Sequence, residues 1–198
     1  MTDHLTRGDV FLDVGANAGY FALPIAKIVR DKGRVLAFEP APDLADQLRQ
    51  AARARGLEPW LTVYGSALGN EDGSIGLHAD PKHPEDSTKR SVVIRGGPLV
   101  AEVPVRSFDR LVTSGEVDLP TGLQAVKIDV EGAEMEVLSG MRGTLEREQP
   151  RMVVVETIDT HLDRAGATVA DIRAFMRALE YVPMNDPRLR LNTIFLPA

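Results

Sequence analysis

The 198 residues suit one domain of common size, and the absence of cysteine excludes disulfide bonds, a thiolate nucleophile and a cysteine-ligated metal centre. The formal charge of -6, from 23 basic and 29 acidic residues, comes without a lysine- or arginine-rich block, so long nucleic acids are not expected as partners. The N-terminus lacks the features of a signal peptide, and no apolar stretch approaches the roughly 20 residues needed to cross a bilayer. We therefore expect a soluble cytoplasmic protein.

Short apolar runs alternate with segments of helical periodicity in the first third of the chain, the pattern that βα units of a parallel sheet produce. Gly33 and Gly56 follow the two helical segments, and Pro42 stands at the start of the second. The pattern predicts strands over 10–14, 34–38 and 59–64, with helices over 20–31 and 43–55. These elements form one half of an α/β fold.

The middle of the chain, from about 66 to 105, has a different residue pattern, rich in turn-forming residues. Asp72-Gly73 joins two short strand-like runs, and the polar stretch 78–90 has no clear periodicity. We expect a hairpin and a mobile loop inserted in the fold. The segment 78–98 is a candidate lid or acceptor loop, because loops at the ligand edge of a sheet carry specificity.

The rest of the chain returns to strands and helices. The expected elements are strand 99–105, helix 107–114, strand 124–130, helix 132–147, strand 151–156, helix 169–179, and a closing pair of strands, 181–184 and 191–196, across a turn at 185–187. No repeat or linker divides the sequence. The predicted fold class is α/β, in a single domain over 1–198 with the insertion at about 66–105.

The first strand runs into a glycine-rich turn, 15–19, at the place where open α/β sheets bind ligands. A dinucleotide fingerprint needs glycine at its third and sixth positions, where this chain has Asn17 and Tyr20. The turn suits S-adenosylmethionine (SAM) better, since SAM carries no pyrophosphate and needs an acid, here Asp13, near its ammonium group. Glu39 ends the second strand, at about the spacing of a ribose-binding acid.

Four stretches, in order, resemble the FkbM family of methyltransferases. They are Asp-Val-Gly-Ala-Asn-Ala-Gly-Tyr-Phe at 13–21, Ala-Phe-Glu-Pro at 37–40, Ser-Ala-Leu-Gly at 66–69 and Lys-Ile-Asp-Val-Glu-Gly-Ala-Glu at 127–134. The resemblance implies a class I methyltransferase fold. Its Rossmann-like sheet would have seven mostly parallel strands in the order 3-2-1-4-5-7-6, with an antiparallel strand near the edge.

The resemblance also implies a SAM site. The methionine part would lie on the first turn, the ribose on Glu39 and the adenine edge on the segment 66–68, with Asp129 beside the sulfonium. The implied cofactor-binding residues are Asp13, Gly15, Asn17, Gly19, Tyr20, Glu39, Pro40, Ser66, Ala67 and Asp129.

Charged residues converge at the carboxyl end of the fourth predicted core strand. Lys127, Asp129 and Glu131 alternate there, and Glu134 opens the next helix. Methyl transfer requires alignment of donor and acceptor and a base for the acceptor proton. Asp129 is the first candidate for that base or for orienting the acceptor, and His161, just past the fifth strand, is the second.

Other roles for these charges stay open. Glu134 could complement the positive end of a helix, and Lys127 could pair with Glu156. The oxygens of Asp129, Glu131, Glu134 and Glu156 could also bind Mg²⁺. SAM binding and helix capping are the favoured roles, so no metal site is assigned.

The resemblance implies a SAM-dependent O-methyltransferase that acts on a hydroxyl of a small molecule, such as a sugar or a secondary metabolite. N-methylation of an amino sugar or peptide is an alternative within the same class. A SAM-binding module without turnover and an NAD(P)-dependent reductase are alternatives from other classes.

Overall fold

The computed structural model describes residues 4–86, 89–94, 96–184 and 191–198. Within these ranges the strands are β1 (Val10–Val14), β2 (Arg34–Phe38), β3 (Leu61–Tyr64), β4 (Ala67–Leu68), β5 (Gly73–Ala79), β6 (Arg90–Ser91), β7 (Leu99–Arg106), β8 (Ala125–Ile128), β9 (Met152–Glu156), β10 (Tyr181–Pro183) and β11 (Asn192–Pro197). The helices are α1 (Ala22–Val29), α2 (Pro42–Ala54), α3 (Phe108–Thr113), α4 (Glu134–Gly140), α5 (Arg142–Glu148), α6 (Asp159–Leu162) and α7 (Val169–Ala178), and a 3-10 turn covers Asp163–Ala165.

Seven of these strands form the central sheet, in the order β10-β11-β9-β8-β1-β2-β3. β1 lies in the middle and pairs in parallel with β2 and β8. β11 runs antiparallel to both β9 and β10, so the sheet is mixed. Counted within this sheet the order is the expected 3-2-1-4-5-7-6. Counted over all described strands it reads 3-2-1-8-9-11-10, because β4 to β7 intervene between β3 and β8.

The insertion forms a second sheet in which β4 and β5 are not paired with each other, as the expected hairpin would require. The mobility of the predicted loop stays a prediction. The order of this sheet is β4-β7-β5-β6, and even the polar stretch contributes a strand, β6, that pairs with the end of β5. A small core explains this order: Leu77 of β5 and Val103 of β7 are buried with Ala41 and Leu44 at the start of α2. Residues 87, 88 and 95 of the predicted loop lie outside the described residues.

Several element boundaries differ from the sequence prediction, and two of these differences lie beside the insertion and the glycine-rich turn. The helix expected over 132–147 is divided at Met141 into α4 and α5. At this division Gly140 lies against the insertion, where an added Cβ would be 1.9 Å from the Gly69 carbonyl oxygen. α1 begins at Ala22 rather than at 20, after the glycine-rich turn is complete. The turn expected at 185–187 falls outside the described residues.

The central strands are buried on both faces, as expected for a parallel sheet covered by helices. In β1, Val10, Leu12 and Val14 belong to one apolar cluster and Phe11 to another, as alternation along a strand requires. The polar side chains therefore gather at the strand ends. None of the helices in the described ranges has the length and apolar character required of a membrane span.

Candidate functional site

A cavity of about 410 Å³ opens at the carboxyl ends of β1, β2 and β8. The turn after β1 supplies Gly15 and Asn17, the end of β2 supplies Glu39, and the turn after β8 supplies Asp129 and Glu131. Neighbouring parallel strands end at the same edge of the sheet, so residues far apart in the sequence meet there. The cavity lies where the sequence predicted a ligand.

The turn after β1 is fixed by close contact between backbones. Gly15 has a φ of +76°, and a Cβ added to it would lie 1.9 Å from the carbonyl oxygen of Asp129. The N–H groups of Gly15 and Ala16 both donate to the Phe38 carbonyl oxygen, at 3.0 Å. The close approach of the turn after β1 to the backbone after β8 therefore requires a glycine at this position, independently of any ligand.

Glu39 connects the turn after β1 to the segment that leads into α2. Its Oε2 accepts the N–H of Asn17 and its Oε1 the N–H of Ala41, both at 2.8 Å. Burial raises the pKa of the Glu39 carboxyl group, and the two backbone donors oppose that rise. The side chain lines the cavity, and carboxylate oxygens that each accept one hydrogen bond retain capacity for another. Glu39 can therefore accept hydrogen bonds from ligand hydroxyl groups.

Lys127 joins the ends of β1 and β8. Its Nζ donates to the Gly15 carbonyl oxygen at 2.9 Å and lies 3.3 Å from Asp13 Oδ1 and 3.5 Å from Asp129 Oδ2. Burial acts to lower the pKa of Lys127, but the two carboxylates outweigh it and the pKa is raised. Lys127 thus forms an ion pair within the sheet, as the sequence suggested, but its partners are Asp13 and Asp129 and not Glu156.

Two of the predicted SAM-binding residues, Asp13 and Gly19, are not among the described residues that line the cavity, although they help to shape it. Asp13 is fully buried, with Lys127 as its counter-ion, and burial raises the pKa of its carboxyl group. A Cβ added to Gly19 would lie 2.4 Å from Leu48 and 3.0 Å from Leu23, so this glycine serves packing. Asp13 therefore does not line this cavity wall, and its contact with the ammonium group of SAM stays a prediction.

The other predicted SAM-binding residues do reach the cavity. Tyr20 lies at its rim with 76% of its surface exposed, and the start of the insertion contributes the segment 66–67. The residues that line the cavity as predicted are Gly15, Asn17, Tyr20, Glu39, Pro40, Ser66, Ala67 and Asp129.

Three further ionisable side chains meet near Asp129. His161 Nδ1 lies 3.1 Å from Glu156 Oε2 and 3.2 Å from Glu131 Oε2. Burial, reinforced by the charge of Asp129, raises the pKa of Glu131 to about 7, and the same causes raise the pKa of Glu156. Burial lowers the pKa of His161. Glu131 and Glu156 line the cavity, whereas the predicted catalytic residue His161 contacts them without being part of the wall.

Glu134 is occupied by the backbone of the turn after β8. It is fully buried, and its Oε1 accepts the N–H groups of Val130 at 3.1 Å and Gly132 at 3.2 Å. Glu134 thus stabilises the turn that carries Asp129 and Glu131. Of the four acids considered for Mg²⁺, only Glu131 and Glu156 fall in a group with metal-ligand spacing: their ligand atoms and that of His161 lie within 4.8 Å of one another.

Two polar residues of the insertion, Arg90 and Ser91, reach the cavity without a signal in the sequence. The Ser91 hydroxyl lies 3.3 Å from the carbonyl oxygen of Val130 and 3.1 Å from that of Glu131. Arg90 donates to Asp43 Oδ1 at 2.6 Å and lowers the pKa of that carboxyl group. Both belong to the two-residue strand β6, which is too short for periodicity to reveal.

Solved structures with a similar fold include methyltransferases. Methyltransferase FkbM from Methylobacillus flagellatus KT superposes with a TM-score of 0.66 at 17% identity, over 97% of this chain and 44% of that chain. A putative methyltransferase from Streptococcus mutans, in complex with SAH, superposes with a TM-score of 0.56 at 8% identity, over 98% of this chain and 90% of that chain. At these identities the likeness shows the fold alone.

Sequence comparison goes further. Hexuronic acid methyltransferase AglP of Haloferax volcanii is 38% identical over 157 residues, which cover 79% of this chain and 59% of that protein, so the chain spans less than two thirds of this relative. Methyltransferase 1 of Beauveria bassiana is 29% identical over 200 residues, 91% of this chain and 77% of that protein. The model of the methyltransferase FkbM domain matches residues 13–183. Because that match extends over most of the sequence, the chain belongs to the FkbM methyltransferase family.

Proposed function

We propose that this chain is a SAM-dependent methyltransferase that methylates a hydroxyl group of a small-molecule acceptor, such as a sugar. One observation carries the proposal: a single cavity holds both a buried carboxylate suited to ribose, Glu39, and a group of acids suited to proton transfer, Asp129, Glu131 and Glu156. Family membership and the similarity to a hexuronic acid methyltransferase support it.

The residues of the cavity fit SAM. The volume of about 410 Å³ lies in the range of roughly 300–1,000 Å³ that ligand sites occupy. Glu39 retains acceptor capacity for two ribose hydroxyls, and Leu44, Leu68 and Leu77 give an apolar wall for a nucleobase beside Ser66. When bound, SAM supplies a methyl group already activated by its sulfonium, so the chain's contribution is to bind, to align the acceptor and to accept a proton.

The charges of the site favour a hydroxyl over a carboxylate as the methyl acceptor. Asp129, Glu131 and Glu156 line this part of the cavity, and Lys127 is already shared between two carboxylates. An anionic acceptor group would add negative charge to a site whose acids already raise the pKa of one another, whereas a hydroxyl would find hydrogen-bond acceptors there. We assign to Asp129, which lines the cavity, the role of orienting such a hydroxyl.

Binding is tested by calorimetry with SAM, its demethylated product S-adenosylhomocysteine (SAH) and NADH. Glu39→Ala removes the carboxylate and should weaken SAM binding by roughly 10- to 100-fold, the range for a hydrogen bond to a charged group. Glu58→Ala is the matched control, because Glu58 is exposed and forms a surface ion pair with Arg53. Tight NADH binding without SAM binding, or unchanged SAM affinity in Glu39→Ala, would contradict the proposal.

Turnover is tested with three related acceptors: a hexuronic acid, its carboxamide and the corresponding amino sugar. Methylation of a hydroxyl gives an alkali-stable product with the first two, and mass spectrometry locates the methyl group. An alkali-labile ester formed only from the free acid would assign the carboxyl group instead. Product from the amino sugar alone would assign N-methylation, and SAM binding without any transfer would indicate a binding module.

A further inference from the structure

Glu131 has an unusually constrained backbone. It adopts a left-handed conformation, with φ of +59°, which is rare for residues other than glycine, asparagine and aspartate. Hydrogen bonds fix the turn on both sides of it, since Glu134 accepts the N–H groups of Val130 and Gly132 and the Ser91 hydroxyl lies 3.1 Å from the carbonyl oxygen of Glu131. Strain that the surroundings maintain in this way is characteristic of functional sites.

The constrained turn directs the Glu131 carboxylate to both the cavity and His161. Its Oε2 lies 3.2 Å from His161 Nδ1, and the same nitrogen lies 3.1 Å from Glu156 Oε2. The close approach extends to the backbone, because a Cβ added to Gly132 would lie 2.5 Å from the His161 carbonyl oxygen. The imidazole is thus fixed between two carboxylates, both of which line the cavity.

The charges around Glu131 distinguish it from Asp129. Asp129 has a cation beside it, Lys127, at 3.5 Å. Glu131 shares its surroundings with Asp129 and Glu134 of its own turn, with Glu156 at the end of β9 and with His161 of α6. The nearby cations that act on it are Arg164 of the 3-10 turn and Lys89 of the insertion.

We propose that Glu131 accepts the proton of the acceptor hydroxyl during methyl transfer, and that His161 and Glu156 are positioning residues for its carboxylate. The inference rests on the proposed function. The hydroxyl oxygen forms the new bond to the methyl carbon as the carbon–sulfur bond breaks, and that bond's electron pair remains on sulfur. The hydroxyl proton passes to a carboxylate oxygen of Glu131, so charge and atoms balance.

The acid–base properties of the cluster agree with this role. A general base works best when its pKa lies near the working pH. Burial and the charge of Asp129 raise the pKa of Glu131 to about 7. Glu131, Glu156 and His161 titrate as an interacting group. The profile of kcat against pH should therefore show one acid limb that belongs to the group as a whole, and kcat should fall on that limb as Glu131 becomes protonated.

The test uses the isosteric variant Glu131→Gln, with Glu136→Gln as its control. Glu136 lies on α4 with an exposed side chain and does not line the cavity, so its variant should behave as the wild type. In Glu131→Gln, kcat should fall by roughly 100-fold or more, the lower bound for loss of a general base, while SAM affinity changes less than about threefold. The acid limb of the kcat profile should disappear.

His161→Ala tests the positioning role through the pH profile. The imidazole hydrogen-bonds with Glu156 Oε2 and lies 3.2 Å from Glu131 Oε2. Its removal takes a polar neighbour from the two carboxylates, so the acid limb should move to higher pH, a change that general loosening would not produce. Asp129→Asn should retain the acid limb even if kcat falls, because the proton acceptor is still present.

Other results would overturn the inference. An undiminished kcat in Glu131→Gln, or an acid limb that persists there and is lost in Asp129→Asn, assigns the proton to another residue. Turnover that EDTA abolishes and Mn²⁺ restores, with Mn²⁺ binding lost in Glu131→Gln, assigns the cluster to a cation. If the wild type binds SAM and transfers no methyl group, the proposed function itself fails.

Discussion

Gly15→Ala tests the close packing of the first turn against β8. At φ of +76° an alanine costs roughly 1–2 kcal/mol of backbone energy. Its Cβ would lie 1.9 Å from the Asp129 carbonyl oxygen, far inside the roughly 3.5 Å at which carbon contacts become favourable, and the opposing atom belongs to the backbone. Such overpacking typically adds roughly 1–3 kcal/mol. We expect the free energy of unfolding to fall by roughly 2–5 kcal/mol.

Gly166 provides a matched control. It has the same φ of +76°, and a Cβ added there meets nothing within 4 Å, so Gly166→Ala should cost the backbone term alone, roughly 1–2 kcal/mol. Urea denaturation gives the free energy of unfolding of both variants, and the difference between the two values is the cost of the contact with Asp129. Calorimetry should also show weaker SAM binding in Gly15→Ala, because the displaced turn carries Asn17. Equal destabilisation of the two variants would refute the packing argument.

Two further predictions concern charge. Lys127→Met leaves Asp13 buried without its counter-ion and should lower the free energy of unfolding by roughly 3–5 kcal/mol, with partial recovery when Asp13→Asn is added. Urea denaturation measures both variants, and no recovery in the double variant would count against the pairing. Folding raises the pKa of Glu131 from 4.5 to about 7, so the folded state binds more protons between these values and stability should fall as the pH rises through them. Denaturation of the wild type and Glu131→Gln across this window checks the sign, since the variant should lose less stability.

The fold follows from local patterns, which is why the sequence predicts it well. The apolar runs that form β1, β2, β8 and β9 are buried on both faces, and such runs are visible without any knowledge of tertiary contacts. The insertion is different, because its second sheet depends on Leu77 and Val103 packing against α2, a contact between segments distant in the sequence. Periodicity within a polar stretch does not reveal a contact of that kind.

The site was predictable to the extent that strand ends determine it. Glu39 and Asp129 each end or follow a parallel strand, so topology alone places them at one edge. The direction of a side chain is not determined in this way. Asp13 is the last residue but one of β1, just before the glycine-rich turn, yet its carboxylate lies against Lys127 and not on the cavity wall. Nor did spacing identify Ser91, which reaches Glu131 from the insertion.

Lys127 ties the turn after β1 to the turn after β8. Its Nζ holds the Gly15 carbonyl oxygen, while the space where a Gly15 Cβ would be is occupied by the carbonyl oxygen of Asp129. A change at either strand end must therefore move the other, and substitution of Lys127 should alter SAM affinity and turnover together. Glu131 is held instead by His161 and by Ser91 of the insertion, so its substitution should change turnover with little effect on SAM affinity. The two variants together would separate cofactor binding from proton transfer within a single cavity.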